Sequence, residues 1–196
     1  MKTASSAGGL DVKTLITTGV FTALYFVLLA VGGIAGILNP LMMFIGPLIS
    51  ILISGPVIIL FLRKVRAPWA LAIMGFLIGL LIFMGGHIWY TIIVATLTGL
   101  LGDLIARAGK YRNRALNVLA YAVFSLWNIT PLTPILYDTD NFLQHITESL
   151  GADFAQQMGQ IFTPAGMLLF AACVFASSLV SGWVGALIVE KHFKTN

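Results

Sequence analysis

Six long apolar runs limit what this chain can fold into more than any other feature. They cover roughly 14–35, 41–62, 68–84, 88–106, 115–136 and 164–189. An apolar run of about 18 residues suffices to carry a helix across the hydrocarbon core of a bilayer. Composition agrees: of 196 residues, 59% are hydrophobic and 9% charged, and the mean hydropathy is +0.98. An average soluble domain is about one quarter charged. The expected molecule is an all-α integral membrane protein, one membrane domain over 1–196 with six transmembrane helices, multi-pass in the cell membrane.

Charge gives the expected orientation, because short cytoplasmic loops retain Lys and Arg. Lys2 and Lys13 precede the first run, and Arg63, Lys64 and Arg66 separate the second from the third. Arg107, Lys110, Arg112 and Arg114 lie between the fourth and fifth, and Lys191 and Lys194 follow the sixth. All eleven cations thus fall on one side, while the other carries Asp138, Asp140, Glu148 and Asp153. Both termini are therefore expected in the cytoplasm. The sequence pI of 9.4 reports this topology and not a nucleic-acid partner. The first run ends in VGGIAG, which resembles a signal-peptide cleavage region, but it is too long for one and is expected to be retained. Cys173, the single cysteine, reads as a small hydrophobe within the sixth run.

One connection is long. From Tyr137 to Phe162, apolar Phe142, Ile146, Leu150, Phe154 and Met158 recur every four residues among acids and glutamines. That spacing predicts amphipathic helix lying on the membrane or over a cavity, a lid-like outer segment over 137–162 divided at Gly151. Just before it, WNITPLTP places Pro131 and Pro134 in the fifth run. Each proline removes a backbone donor, so the outer third of that helix should kink or unwind, at the depth of Asn128, Thr130 and Thr133. Small residues four apart predict close helix approach: Gly19 and Ala23, Gly75 and Gly79, Ala95 and Gly99, and Ser178, Gly182 and Ala186.

Several functions are excluded by what the runs lack. No Asp, Glu, Lys or Arg lies near the middle of any of them, as a proton-coupled pump or voltage sensor would require. Asp103, near the end of the fourth, is expected to pair with Arg107 one turn on. No nucleophile has a base at the same depth, and no GxxxxGK[ST] is present, so the chain is not expected to be an enzyme or to hydrolyse ATP. A chain that binds from outside with no means of driving transport should borrow its energy from a partner.

Four stretches carry a resemblance to a known family: LDVKTLITTGVFTALYFVLL at 10–29, the basic loop FLRKVRAP, GGHIW, and GLLGDLIARAGKYRN. Together and in order they resemble the substrate-binding S components of energy-coupling factor (ECF) transporters, in the MptD-like branch also labelled Trep_Strep. The likeness covers essentially the whole chain. It implies a six-helix S-component-like bundle that captures a small molecule outside the cell, docks on a transmembrane coupling subunit and topples in the bilayer. Two ATPase subunits then drive release inward. A small-xxx-small pair on the first helix contacts the coupling subunit in such proteins; Gly19 and Ala23 stand there, with glycine where alanine is usual.

The resemblance also implies a site toward the outer end. Its candidates are Asn39, Met42, Met43, Met84, His87, Trp89, Tyr90, Trp127, Asn128, Thr130 and Tyr137. The chain carries no intrinsic cofactor in this reading, and haem is the leading substrate. His87, released by Gly85 and Gly86 to point inward, is the candidate iron ligand, with the thioethers of Met42, Met43 or Met84 at the same level. His145 on the outer segment is a rival. No outer Lys or Arg is at hand for haem propionates, which would face water or bind backbone amides, Asn128 or Thr130. Three alternatives remain open: a small vitamin or nucleobase-like substrate, an interfacial role for His87 beside Trp89 and Tyr90 in an aromatic belt, and a membrane interaction protein that binds no small molecule.

Overall fold

The computed structural model describes residues 10–192, and within them every regular element is helical. Four long helices come first: α1 (Val12–Leu38), α2 (Pro40–Val65), α3 (Ala70–Met84) and α4 (Thr91–Ala108). α5 (Arg114–Ser125) continues into a 3₁₀ segment, Leu126–Leu132, and the short α6 (Pro134–Tyr137). The outer segment forms α7 (Thr139–Leu150) and α8 (Ala152–Ile161), and α9 (Pro164–His192) closes the chain.

Five stretches are long and apolar enough to cross a membrane: Val12–Leu38, Pro40–Val65, Thr91–Ala108, Arg114–Leu132 and Pro164–His192. The expected span at 68–84 is shorter than its apolar run, with 15 residues in helix. At 1.5 Å per residue that helix reaches about 22 Å, below the ~30 Å of a hydrocarbon core. The shortening has a local cause. Trp69 takes a left-handed conformation (φ 72°) at the start of α3, and Gly85 and Gly86, the latter at φ 92°, end it.

The long helices form a closed ring, α1 against α2, α2 against α9, then α5, α4, α3 and back to α1. Tyr25, Ile51, Phe61, Met74, Tyr121 and Phe170 fill its centre with no exposed surface. Several seams close by backbone contact. A Cβ on Gly75 would stand 2.1 Å from the Ala95 carbonyl oxygen, so α3 and α4 touch where only glycine fits. Gly32 and Gly46 do the same for α1 and α2. The outward faces are apolar, including Val20, Leu24, Val27 and Val31 on α1 and Val180, Val184 and Leu187 on α9. Such a surface suits a lipid solvent.

All described cations lie at one end of the ring: Lys13 opens α1, Arg63, Lys64 and Arg66 end α2, Arg107 ends α4, Lys110 and Arg112 lie in the α4–α5 turn, Arg114 opens α5, and Lys191 ends α9. Lys2, Lys194 and the termini themselves lie outside the described residues. At this basic end Glu190 of α9 binds Arg63 of α2 and Arg114 of α5, tying three helices together. Asp103 does not form the expected ion pair with Arg107. It is 3% exposed and accepts the backbone N–H of Trp69 at 2.5 Å and the Tyr111 hydroxyl at 3.4 Å. Its carboxylate thus serves the unpaired N-terminus of α3, a stronger demand than a surface pair.

Candidate functional site

The end opposite the basic residues is built by the break after α5. An α-helical Thr130 carbonyl would accept from residue 134, but Pro134 has no N–H. That carbonyl instead accepts from the Thr133 N–H (3.1 Å) and the Thr133 hydroxyl (2.7 Å), and the chain tightens into 3₁₀ turns. The expected unwinding is present and starts earlier than the prolines, at Leu126. α7 and α8 follow, separated as the spacing predicts at Gly151 (φ 97°). α8 is anchored: Met158 and Phe162 are buried, and Phe162 packs on Phe44 and on Phe170 at ring separations of 6.1 and 6.0 Å. α7 buries no residue fully.

The expected site residues divide into two groups. The first is a surface cluster. The Tyr90 hydroxyl lies 2.6 Å from both the Thr133 and Tyr137 hydroxyls, and Trp89 meets Tyr90 edge to face at 5.9 Å. These bonds join the α3–α4 turn to the break after α5. The Tyr90 bond, burial and Asp138 together raise the Tyr137 hydroxyl to about 12. Met84, Trp89 and Tyr137 are 74, 60 and 63% exposed, so the cluster presents an apolar, aromatic face.

His87 belongs to this surface. It does not turn into the bundle as expected: it is exposed, and its Nδ1 lies 3.2 Å from the Ile82 carbonyl, capping the end of α3. A carbonyl only accepts, so this bond needs the proton on Nδ1, and in the neutral ring that tautomer leaves the lone pair on Nε2. Met42 and Met43 are half-buried on the first turn of α2, where Asn39 caps the helix by accepting from the Met42 N–H, and Met43 packs on Gly36. No bond links them to the surface cluster among the described residues. His145 is exposed on α7.

The second group is buried. Trp127, Asn128 and Thr130 are 2, 8 and 4% exposed. The Asn128 side chain donates to the Ser125 carbonyl at 2.8 Å. Tyr25 of α1, fully buried, places its hydroxyl beside Trp127 and Asn128, yet neither that hydroxyl nor the Trp127 indole N–H has a hydrogen-bond partner. Polar groups buried at this depth without a hydrogen bond are costly, although the Tyr25 oxygen is an acceptor that the adjacent Trp127 N–H would reach after a small shift.

The family model described as a hypothetical bacterial integral membrane protein (Trep_Strep) matches residues 12–195. The chain belongs to the Trep_Strep family. No curated protein and no solved structure matches it. Family membership and five long apolar helices make this Trep_Strep protein a multi-pass membrane protein.

Gly19 and Ala23 lie together on an exposed face of α1, and a Cβ on Gly19 would meet nothing within 4 Å. The other small pairs are internal: Gly75, Gly79 and Gly99 seat the α3–α4 seam, and Ser178, Gly182 and Ala186 face the bundle. Among the described residues no three His, Cys, Asp or Glu side chains converge as a metal site would need. Tyr25 was absent from the expected site. Its signal was present in the sequence, a hydroxyl among Leu24, Phe26 and Val27, but nothing local shows that it meets residue 127.

Proposed function

We propose that this Trep_Strep protein is a substrate-binding S component of an ECF-type importer. It would capture its substrate at the lid end, dock on a coupling subunit through α1, and be emptied toward the cytoplasm by two ATPase subunits. The orientation follows from the basic end lying inside, which also makes α3 the sixth, short span. The observation that carries the reading is the division of small-residue pairs: those on α3, α4 and α9 are consumed by internal packing, whereas Gly19 and Ala23 are left open on α1. An unoccupied face of small residues admits another helix closely. The polar break and two-helix cover at the far end support binding there, and the absence of charge at depth supports an external source of energy.

Haem is the proposed substrate. His87 supports it: the Ile82 carbonyl orients the ring, as backbone carbonyls orient metal-ligating histidines, and leaves Nε2 as the donor to iron. Exposed Met84, Trp89 and Tyr137 offer flat apolar contacts around it. A second reading, a small vitamin or nucleobase-like substrate, is favoured by the unbonded Tyr25 hydroxyl and Trp127 indole N–H, which together suit a ring bearing both an acceptor and a donor. Titrating purified protein with haemin tests the choice. A Soret band that His87→Ala shifts or abolishes, and His145→Ala changes less, supports haem; no spectral change on adding haemin rejects it. Co-purification with a coupling subunit and ATPases tests the transporter assignment itself.

A further inference from the structure

Two features at the basic end fit one ligand. The first is a concavity of about 200 Å³ lined by Arg63, Arg66, Tyr111 and Arg112. Its walls are fixed by local bonds. Arg66 and Tyr111 both hold left-handed conformations (φ 47° and 57°), the Arg66 Nε–H donates to the Arg63 carbonyl at 2.7 Å, and the Tyr111 N–H donates to the Ala106 carbonyl at 2.8 Å. The Tyr111 carbonyl accepts from Asn117 at 3.0 Å.

The charges in this concavity are unbalanced. Glu190 already serves Arg63 and Arg114. Among the described residues neither Arg66 nor Arg112 meets a carboxylate, and the buried Arg63 Nε has no hydrogen-bond partner. Partial burial and the neighbouring Arg112 and Arg63 lower the Arg66 guanidinium from its ordinary value. Of these four guanidiniums only Arg63 and Arg114 meet a carboxylate, that of Glu190, while Asp103 is engaged by the Trp69 N–H and the Tyr111 hydroxyl; Arg66 and Arg112 are left to an anion from outside.

The second feature is an apolar groove of about 480 Å³ between α5 and α9, lined by Ala115, Val118, Leu179, Val180, Trp183 and Val184. It opens on the outer surface of the helix ring, where the solvent is lipid. Its upper rim is Arg114, whose guanidinium lies 5.2 Å from the Trp183 ring centre. The Glu190 carboxylate bridges that rim to Arg63 of the concavity.

We propose that this end of the protein binds an anionic phospholipid, with its phosphate in the Arg63–Arg66–Arg112 concavity and one acyl chain in the α5–α9 groove. Neither half alone specifies the ligand. The cations alone would accept a free phosphate, and the groove alone would accept any neutral lipid; their junction at Glu190 selects a molecule with both. The assignment needs only a membrane protein and stands apart from the transporter reading.

The test is thermal melting of the full chain in an uncharged detergent, with dioleoyl phosphatidylglycerol, dioleoyl phosphatidylcholine or inorganic phosphate added. Phosphatidylglycerol should stabilise at lower concentration than phosphatidylcholine, and inorganic phosphate should have little effect. Replacing both Arg66 and Arg112 by Gln should weaken apparent phosphatidylglycerol affinity roughly thirtyfold, from about 1 kcal/mol per interfacial cation. Because Arg66 is partly buried, Arg112→Gln alone, on an exposed side chain, provides a second variant and should give about fivefold. Lys64→Gln, an exposed cation outside the concavity, should change affinity less than twofold, and Val180→Trp, which fills the groove, should weaken both lipids. Equal stabilisation by the two lipids, an equal loss in Lys64→Gln and Arg112→Gln, or full stabilisation by inorganic phosphate would each overturn the proposal.

Discussion

Replacing Tyr25 by Phe should raise the melting temperature of the unliganded protein. The side chain is fully buried, and its hydroxyl has no hydrogen-bond partner beside an equally unpartnered Trp127 N–H. An unsatisfied buried polar group costs roughly 1–3 kcal/mol, and Phe removes that cost while keeping the ring. The ring contact with Phe124 at 5.8 Å should survive, since both residues have the same six-membered plane. For a chain of this length 1 kcal/mol corresponds to about 2–4 °C, so a rise of roughly 2–12 °C is expected. The assay is a melting curve of the purified chain in detergent, repeated with haemin. Haemin binding should not change, because the haem reading places the ligand on the surface cluster around His87. A lower melting temperature would refute the argument, since it would mean that the hydroxyl makes a stabilising bond. Loss of haemin binding would move the site into the bundle and reject His87 as its centre.

Three further outcomes follow from the packing and the proposed topology. Gly75→Val should lower the melting temperature by several degrees, because overpacking costs about 1–3 kcal/mol and the first added carbon already meets the Ala95 carbonyl; an unchanged melt would show that α3 and α4 can separate freely. Gly19→Leu should leave melting and substrate binding intact while abolishing co-purification with a coupling subunit, and a variant that still co-purifies would place the docking face elsewhere. Single cysteines at Arg66 and Arg112 should react only with reagent applied from the cytoplasm, and one at Asp140 only from outside; external labelling at Arg112 would invert the proposed orientation.

The features legible in the sequence are those fixed by composition and short spacing. Apolar runs marked the helices, the four-residue period from Phe142 to Met158 marked α7 and α8, and Pro131 and Pro134 marked the break after α5. Backbone chemistry explains this success, since a missing N–H at residue 134 acts wherever the chain goes. Long-range pairings were not legible. Glu190 reaches Arg63 across 127 positions, and Ser181 donates to the Leu52 carbonyl across 129, taking the acceptor that Pro56 leaves unbonded in α2. Asp103 shows the same limit at shorter range. Its i+4 neighbour Arg107 offered an obvious partner, but the unpaired N-terminus of α3 was the more demanding one.

His87 shows why a residue's neighbours in sequence do not settle which way it faces. Gly85 and Gly86 give the chain freedom to turn the imidazole inward, and the same freedom lets the last turn of α3 close on itself. Three N–H donors, from Gly85, His87 and the His87 ring, converge on the Ile82 carbonyl. A helix end has carbonyls without intrahelical partners, and a histidine five residues on is well placed to bond one of them. The ring is thereby ordered at the surface instead of in the core. In the proposed site a ligand of His87 would therefore meet the ring at the lid-end surface, where Tyr137 is exposed and where α7 buries none of its side chains fully.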